Sequence, residues 1–168
     1  RLERGDPWNG TVLRIYWHAG THVDAPWHHV PSGKGIGEIP IENFIYQKPL
    51  LIDCPSGPND LIGVDQLEVY GDELYAADLL IFNTGYWKLR GSDFETYAND
   101  FPAVSPEAAV FIRTELPHCK AVAIDTLSIE NLKHAQHNGF AVHHAFLNHE
   151  KYEEPTMLIY EDINPEPI

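Results

Sequence analysis

The chain has few cysteines and no long apolar run, and each shortage excludes a class of protein. Its 168 residues include only two cysteines, Cys54 and Cys119, too few for a disulfide framework and not spaced as a CxxC pair. We expect both to be reduced, packed thiols. No apolar run approaches the roughly 20 residues that span a bilayer, and the N-terminus lacks the apolar core of a signal peptide. These shortages predict no membrane partner and favour a cytoplasmic protein.

Basic residues are also scarce. The sequence holds 11 Lys and Arg against 25 Asp and Glu, a formal net charge of −14. Such an acidic surface repels phosphate backbones, which excludes nucleic acid as the natural partner. Hydrophobic residues make up 43% of the chain, enough for one sizeable core. We predict a single domain over residues 1–168, and because the chain begins at Arg1 we expect it to lack an N-terminal segment.

Short apolar runs indicate strands along the chain. Residues 11–17 alternate as a strand with one solvated face would, and this strand would lead directly into His18. Four further runs are typical of buried strands, because they are short and rich in branched apolar residues. They occupy residues 50–54, 79–83, 121–125 and 157–161.

Helical patterns lie between these runs. Ser105 and Pro106 match an N-cap followed by proline at the first helical position, which predicts a helix that ends at Glu115. Further helices are predicted over residues 64–70 and 141–149. Interleaved strands and helices predict a mixed α/β fold.

Candidate metal ligands are concentrated in residues 18–29, where HAGTHVDAPWHH holds four histidines and one aspartate in twelve positions. Imidazole and carboxylate groups suit zinc or manganese. In a regular strand His18 and His22 would lie about 13 Å apart, so the backbone must bend between them, and Gly20 permits this. His22 and Asp24, two residues apart, would project from one face. Chance grouping is the alternative in a chain with ten histidines, but this density favours a metal site.

The same residues carry a family resemblance. The segment matches HxGTHxDxPxH, the motif of the cyclase family, which includes bacterial kynurenine formamidases and isatin hydrolases. The matching residues are His18, Gly20, Thr21, His22, Asp24, Pro26 and His28. Further similar stretches are NTGYW at 83–87, FPAVSPEAA at 101–109, IDTLS at 124–128 and VHHAFL at 142–147. The resemblance implies a compact mixed β/β/α (swivelling) fold.

The resemblance also implies a ligand set. His18, His22 and Asp24 would bind a first divalent ion, zinc or manganese. Asp24 would also reach a second ion, with His143 and Glu161 as the downstream ligands. For Glu161 the alternative is a solvated carboxylate at the end of a strand.

Three histidines need separate assignment. His28 resembles the catalytic histidine of the family, and a pKa near ~6.5 suits proton transfer at neutral pH. His29 stands where relatives often carry phenylalanine, and we expect it to be a neighbour rather than a participant. The spacing to Phe146 resembles the family's HxxLL pattern when counted from His143, which favours His143 over His144.

The resemblance implies an amidohydrolase with one or two metal ions per subunit. It would cleave an amide or lactam C–N bond, as in N-formylkynurenine or an isatin-like cyclic amide, by metal-activated water with His28 as general acid and base. A homodimer or homotetramer is implied as well. The same ligands would also serve a metal-dependent lyase or cyclisation enzyme, or a metal-binding interaction protein without turnover. Trp17, Trp27, Tyr86 and Trp87 are candidates to line an apolar pocket.

Overall fold

The computed structural model describes residues 2–152 and 156–166 of the chain. Within these residues, short strands alternate with helices, as the sequence predicts. The strands are β1 (His22–Asp24), β2 (Pro49–Asp53), β3 (Leu61–Ile62), β4 (Leu79–Asn83), β5 (Ala103–Val104), β6 (Ala121–Ile124) and β7 (Leu158–Glu161). The α-helices are α1 (Asp65–Glu68), α2 (Asp72–Ala76), α3 (Leu89–Ser92), α4 (Phe94–Asn99), α5 (Pro106–Glu115), α6 (Leu132–Asn138) and α7 (Ala141–Leu147).

A five-stranded mixed sheet forms the centre, in the order β1-β7-β6-β4-β2. Strands β2, β4, β6 and β7 run parallel, and β1 joins the edge antiparallel to β7. Strands β3 and β5 form a separate parallel pair. Parallel strands bury both faces, which explains why β6 is buried along its whole length. Strand β2 is buried less because it lies at the other edge of the sheet.

Helices α5 and α7 pack together beside the central sheet. Helix α5 begins as the sequence predicts, with the Ser105 side chain accepting a hydrogen bond from the amide of Ala108 and Pro106 at its first position. Ile112 and Phe146 from these two helices are fully buried in the same core as Phe82 and Ile124 of the sheet. Cys54 and Cys119 are both free and buried, as expected.

The predicted strand over residues 11–17 is wrong. The segment forms no ladder with any described part of the chain, and Val12 and Trp17 are 96% and 91% exposed. Alternation alone does not make a strand, because extended backbone needs a neighbour to accept and donate its hydrogen bonds. Instead, β1 begins at His22 and forms the antiparallel ladder with β7. No helix among the described residues is long and apolar enough to cross a membrane.

Candidate metal centre

The pairing of β1 with β7 places the motif opposite a carboxylate from a distant part of the sequence. His22 lies opposite Glu161, and Asp24 lies opposite Ile159. Asp24 and Glu161 are only 2% and 3% exposed. Two carboxylates are therefore withdrawn from water within one pair of strands, which is costly unless cations or hydrogen-bond donors compensate.

The backbone turns between His18 and His22 at the expected residue. Gly20 has a φ of +79°, in the left-handed region that a side chain disfavours. The turn brings Nδ1 of His18 to 3.1 Å from Nε2 of His22. Thr21 donates its hydroxyl to the carbonyl oxygen of Asp162 at 2.6 Å, which attaches the turn to the end of β7.

Ring nitrogens and carboxylate oxygens converge around Asp24. Its Oδ1 lies 3.1 Å from Nδ1 of His18 and 3.6 Å from Nε2 of His22, while its Oδ2 lies 3.8 Å from Nε2 of His28. Nε2 of His22 is also 3.4 Å from Oε2 of Glu161. Two ligand atoms of one tetrahedral zinc ion lie about 3.4 Å apart, since each is about 2.0–2.2 Å from the metal. The observed spacing is therefore that of a ligand set.

Asp24 provides the clearest test of whether a divalent ion fits. Both of its carboxylate oxygens are buried, and within the described ranges neither takes part in a hydrogen bond. Buried carboxylates in proteins are almost always hydrogen-bonded, paired or bound to a metal. His22, Asp24 and Glu161 can each point one ligand atom at a common ion, as can His18, Asp24 and His28. The residues present fit a metal.

Two of the histidines are oriented by acceptors behind them. Nδ1 of His22 lies 2.8 Å from the carbonyl oxygen of Gly20, and Nδ1 of His143 lies 2.9 Å from Oε2 of Glu130. Because a carbonyl and a carboxylate accept hydrogen bonds, each Nδ1 carries the proton and each Nε2 faces the site. This arrangement is typical of histidine ligands.

Glu161 and His143 complete the far side of the cluster. Oε1 of Glu161 lies 3.5 Å from Nε2 of His143 and accepts hydrogen bonds from Ser128 Oγ at 2.9 Å and Ile129 N at 2.8 Å. Glu161 is therefore a buried, fixed carboxylate, unlike the solvated alternative considered from sequence. His143 is the histidine that meets it, whereas the His144 ring lies against His29 at a centroid separation of 5.5 Å.

In the metal-free protein, burial and the facing charges within the site shift the pKa values of its residues. The hydrogen bond with Glu161 is the main reason that the pKa of His22 rises to about 9. Burial opposes ionisation of His143, but Glu130 and Glu161 together raise its pKa to about 9. Burial raises the pKa of Asp24 to about 6. Glu161 is buried too, yet the facing rings of His143 and His22 hold its pKa well below the usual range.

The pKa values of His28 and His29 are lowered, in contrast to those of His22 and His143. Burial, reinforced by the nearby imidazoles, lowers the pKa of His28 to about 4 and that of His29 to about 3. A short 3-10 turn, Pro26–His28, presents the first of these rings. The His28 ring lies 4.1 Å from that of His18, and the His29 ring stacks on His143 at 4.5 Å.

A cleft of about 470 Å³ opens beside His28, His29, His143 and Glu161. The apolar part of its wall comes from residues remote in sequence, including Tyr16, Phe101, Leu127 and Phe140. The charged residue Lys133 also lines the cleft. A second space of about 580 Å³ borders His18 and His22 and is lined by Trp17 and Trp27. Of the other aromatic candidates, Tyr86 packs in the core with Tyr97 and Phe101.

The residues that support the ligands were not predicted from the sequence. Glu130 is 2% exposed and binds His143, and Ser128 binds Glu161. Asp162 accepts hydrogen bonds from Arg90 and from the Tyr97 hydroxyl. The only signal for Glu130 was its place two residues after the recognised IDTLS stretch, which gave no partner.

Comparison with known proteins decides the family. A family profile described as Putative cyclase matches residues 5–131, which include the motif segment and Glu130. The chain belongs to the cyclase family. His143 and Glu161 of this cyclase-family chain lie outside the matched region, and the fold alone brings them to the motif.

Curated relatives agree with this assignment. The cyclase-family chain is 30% identical to an uncharacterised protein of Haemophilus influenzae over 118 residues, 70% of this chain and 83% of that protein. It is 29% identical to a kynurenine formamidase of Geobacillus thermodenitrificans over 119 residues, 71% of this chain. The match spans 52% of that formamidase, about half its length.

Solved structures share the fold. Isatin hydrolase A from Labrenzia aggregata, bound to benzyl benzoate, superposes with a TM-score of 0.78 at 22% identity, covering 98% of this chain and 68% of that one. A structure described as a potential metal-dependent hydrolase with cyclase activity has a TM-score of 0.68 at 24% identity, covering 92% and 67%. The compact mixed β/β/α fold expected from the motif is confirmed.

Proposed function

We propose that this chain is a metal-dependent hydrolase that cleaves an amide or lactam C–N bond. The observation that carries the proposal is Asp24, a carboxylate withdrawn from water, without a hydrogen bond to any described residue, among ring nitrogens of three histidines. Such a group is costly unless it binds a cation. Aryl formamides such as N-formylkynurenine and isatin-like cyclic amides are the candidate substrates.

In this proposal His18, His22 and Asp24 hold the first divalent ion, zinc or manganese. His143 and Glu161, together with Asp24, are the ligands of a second ion where one is present. When bound, such an ion supplies a Lewis acid that activates water and polarises a carbonyl group. Glu130 and the carbonyl of Gly20 keep the ligating nitrogens of His143 and His22 facing the site.

His28 is the proposed proton carrier. Its ring borders the cleft and is neutral at pH 7, because burial lowers its pKa to about 4. A neutral imidazole accepts a proton as water attacks the carbonyl carbon. The resulting imidazolium then donates the proton to the departing nitrogen.

The cleft beside His28 suits a ring-bearing substrate. Tyr16, Phe101, Leu127 and Phe140 contribute apolar surface to its wall, and the proposed ligands Glu161 and His143 line the same cleft. The similarity to a kynurenine formamidase and to an isatin hydrolase supports the same class of bond. A formamidase and an isatin hydrolase both hydrolyse a C–N bond of an amide or lactam.

The test is hydrolysis of N-formylkynurenine, isatin and a simple aryl formamide by the metal-loaded protein in water enriched in ¹⁸O. Label in the carboxylate product supports the hydrolase. Turnover to an unlabelled product overturns it in favour of a lyase or cyclisation enzyme. Metal binding without turnover of any of the three substrates also overturns it and favours a metal-binding interaction protein.

A further inference from the structure

His29 occupies a position that the proposed mechanism does not use. Its ring stacks on His143 with centroids 4.5 Å apart, meets the edge of His28 at 4.5 Å and contacts Phe140 at 5.2 Å. His28, His29 and His143 each offer a nitrogen, and the three nitrogens lie within 4.8 Å of one another. Three histidines are a common ligand set for zinc.

We propose that His28, His29 and His143 form an inhibitory cation site in the wall of the cleft, selective for zinc over manganese. The site adjoins the carboxylate-rich cluster and shares two residues with it. Nε2 of His143 faces Glu161 at 3.5 Å, and Nε2 of His28 lies 3.8 Å from Oδ2 of Asp24. An ion bound here therefore competes with the proposed second ion for His143. His29 is the ligand that belongs to this site alone. The inhibitory half of this inference rests on the proposed function, whereas the binding half does not.

Selectivity follows from the ligands. The cluster around Asp24 mixes imidazole with carboxylate, which accepts manganese as well as zinc. Three imidazole ligands without a carboxylate favour zinc, copper or nickel and bind manganese poorly, once His143 has lost its extra proton. Glu130 strengthens the set, because it accepts the Nδ1 proton of His143 and leaves Nε2 free to bind.

Inhibition follows from the identity of His28. An ion held by its ring nitrogen occupies the lone pair that the hydrolytic reaction needs for proton transfer. The same ion would stand inside the 470 Å³ cleft, because His28, His29 and His143 all line its wall. A zinc ion bound at this site therefore has two effects. It prevents His28 from carrying a proton, and it obstructs the binding of substrate.

The experiment counts zinc by equilibrium dialysis of the metal-free protein, for wild type, His29→Phe and His29→Gln. The phenylalanine keeps an aromatic ring against Phe140, and the first ion reports that the variant is folded. We expect wild type to bind a tight and a weaker zinc ion, with the weaker dissociation constant raised about tenfold or more in both variants. His137→Ala removes an exposed imidazole elsewhere and should match wild type.

The activity arm compares excess zinc with excess manganese on the aryl formamide. Wild-type hydrolysis should fall as the second zinc site fills and stay level in excess manganese, and the remaining activity of His29→Phe should resist zinc. A wild type that saturates at one zinc ion, or a His29→Phe that binds and responds like wild type, overturns the inference. Two zinc ions on an inactive wild type, with the weaker one lost in His29→Phe, would support the site and count against the proposed function.

Discussion

Glu130 is the residue on which the orientation of His143 depends. We expect Glu130→Gln to weaken binding of the second, weaker zinc ion by about 10- to 100-fold, because the amide holds the His143 ring less strongly and no longer raises its basicity. Competition with a chromophoric chelator measures the affinity. Glu68→Gln, at an exposed helical glutamate, is the matched control. Equal affinity in wild type and Glu130→Gln would show that His143 is not a ligand.

Proton release tests the same ligands through their titration. His22 and His143 have pKa values raised to about 9 in the metal-free protein, so both are protonated at pH 7 and must lose protons to bind a metal. Their raised values stabilise the metal-free fold below about pH 6.5, and this contribution disappears as pH rises through 9. The gain in melting temperature on adding zinc should therefore grow between pH 6 and pH 9. A gain that shrinks over this range contradicts the assignment.

Only the part of the candidate site whose residues are close together in the sequence could be predicted from local patterns. His18, His22 and Asp24 lie within seven positions, and their spacing together with Gly20 implies a shared site. Glu161 reaches them through the register of β1 on β7, which no local pattern encodes. The support of His143 by Glu130 depends on where α7 packs. Sequence reasoning therefore identified ligand candidates and missed the groups that orient them.

At the scale of the secondary-structure elements, the hydrogen bonds of the Asp125 side chain link the end of β6 to the loop after β4. It is fully buried and accepts hydrogen bonds from the amides of Thr84 and Gly85 and from the Thr84 hydroxyl. Asp125→Ala leaves these donors unpaired and should cost roughly 2–5 kcal/mol in the free energy of unfolding, measured in urea. Asp53→Ala, at an exposed edge-strand position, should cost less than about 1 kcal/mol. Similar losses for both would refute this role.

The strands that are buried on both faces of the sheet could be predicted from the sequence. Strands β4, β6 and β7 are short apolar runs because both sheet faces are covered, and such runs are recognisable without a partner. The segment over residues 11–17 has the strand pattern but no neighbour among the described residues. Pairing is a property of the whole sheet, so alternation was insufficient there. Helix α5 was predictable because its cap residues are adjacent in sequence.

At the scale of the molecule, the exposed apolar side chains before His18 require an explanation. Leu13, Ile15, Tyr16 and Trp17 are 62–91% exposed within five positions of sequence, and exposed apolar patches usually mark interaction surfaces. We expect the protein to self-associate through this segment, in keeping with the implied homo-oligomer. Sedimentation velocity should show association weakened about tenfold or more in Ile15→Ser/Trp17→Ser, a loss of ~1.4 kcal/mol or more.

The control for this prediction is Val69→Ser, which removes an apolar side chain that is 78% exposed on another part of the surface. It should associate like wild type. A wild-type chain that stays monomeric at all concentrations tested would contradict the expectation. Equal weakening by both variants would assign the effect to general surface hydrophobicity rather than to this segment.

The central claim is that a metal held by the motif performs hydrolysis with His28 as the proton carrier. The most direct measurement compares metal content and aryl formamide hydrolysis in wild type, His22→Ala and His28→Ala, each supplied with one equivalent of zinc. We predict that His22→Ala loses both metal and activity, and that His28→Ala keeps its metal while its turnover falls roughly 10²- to 10⁴-fold. A wild type that holds no metal, or a fully active His28→Ala, would contradict the account.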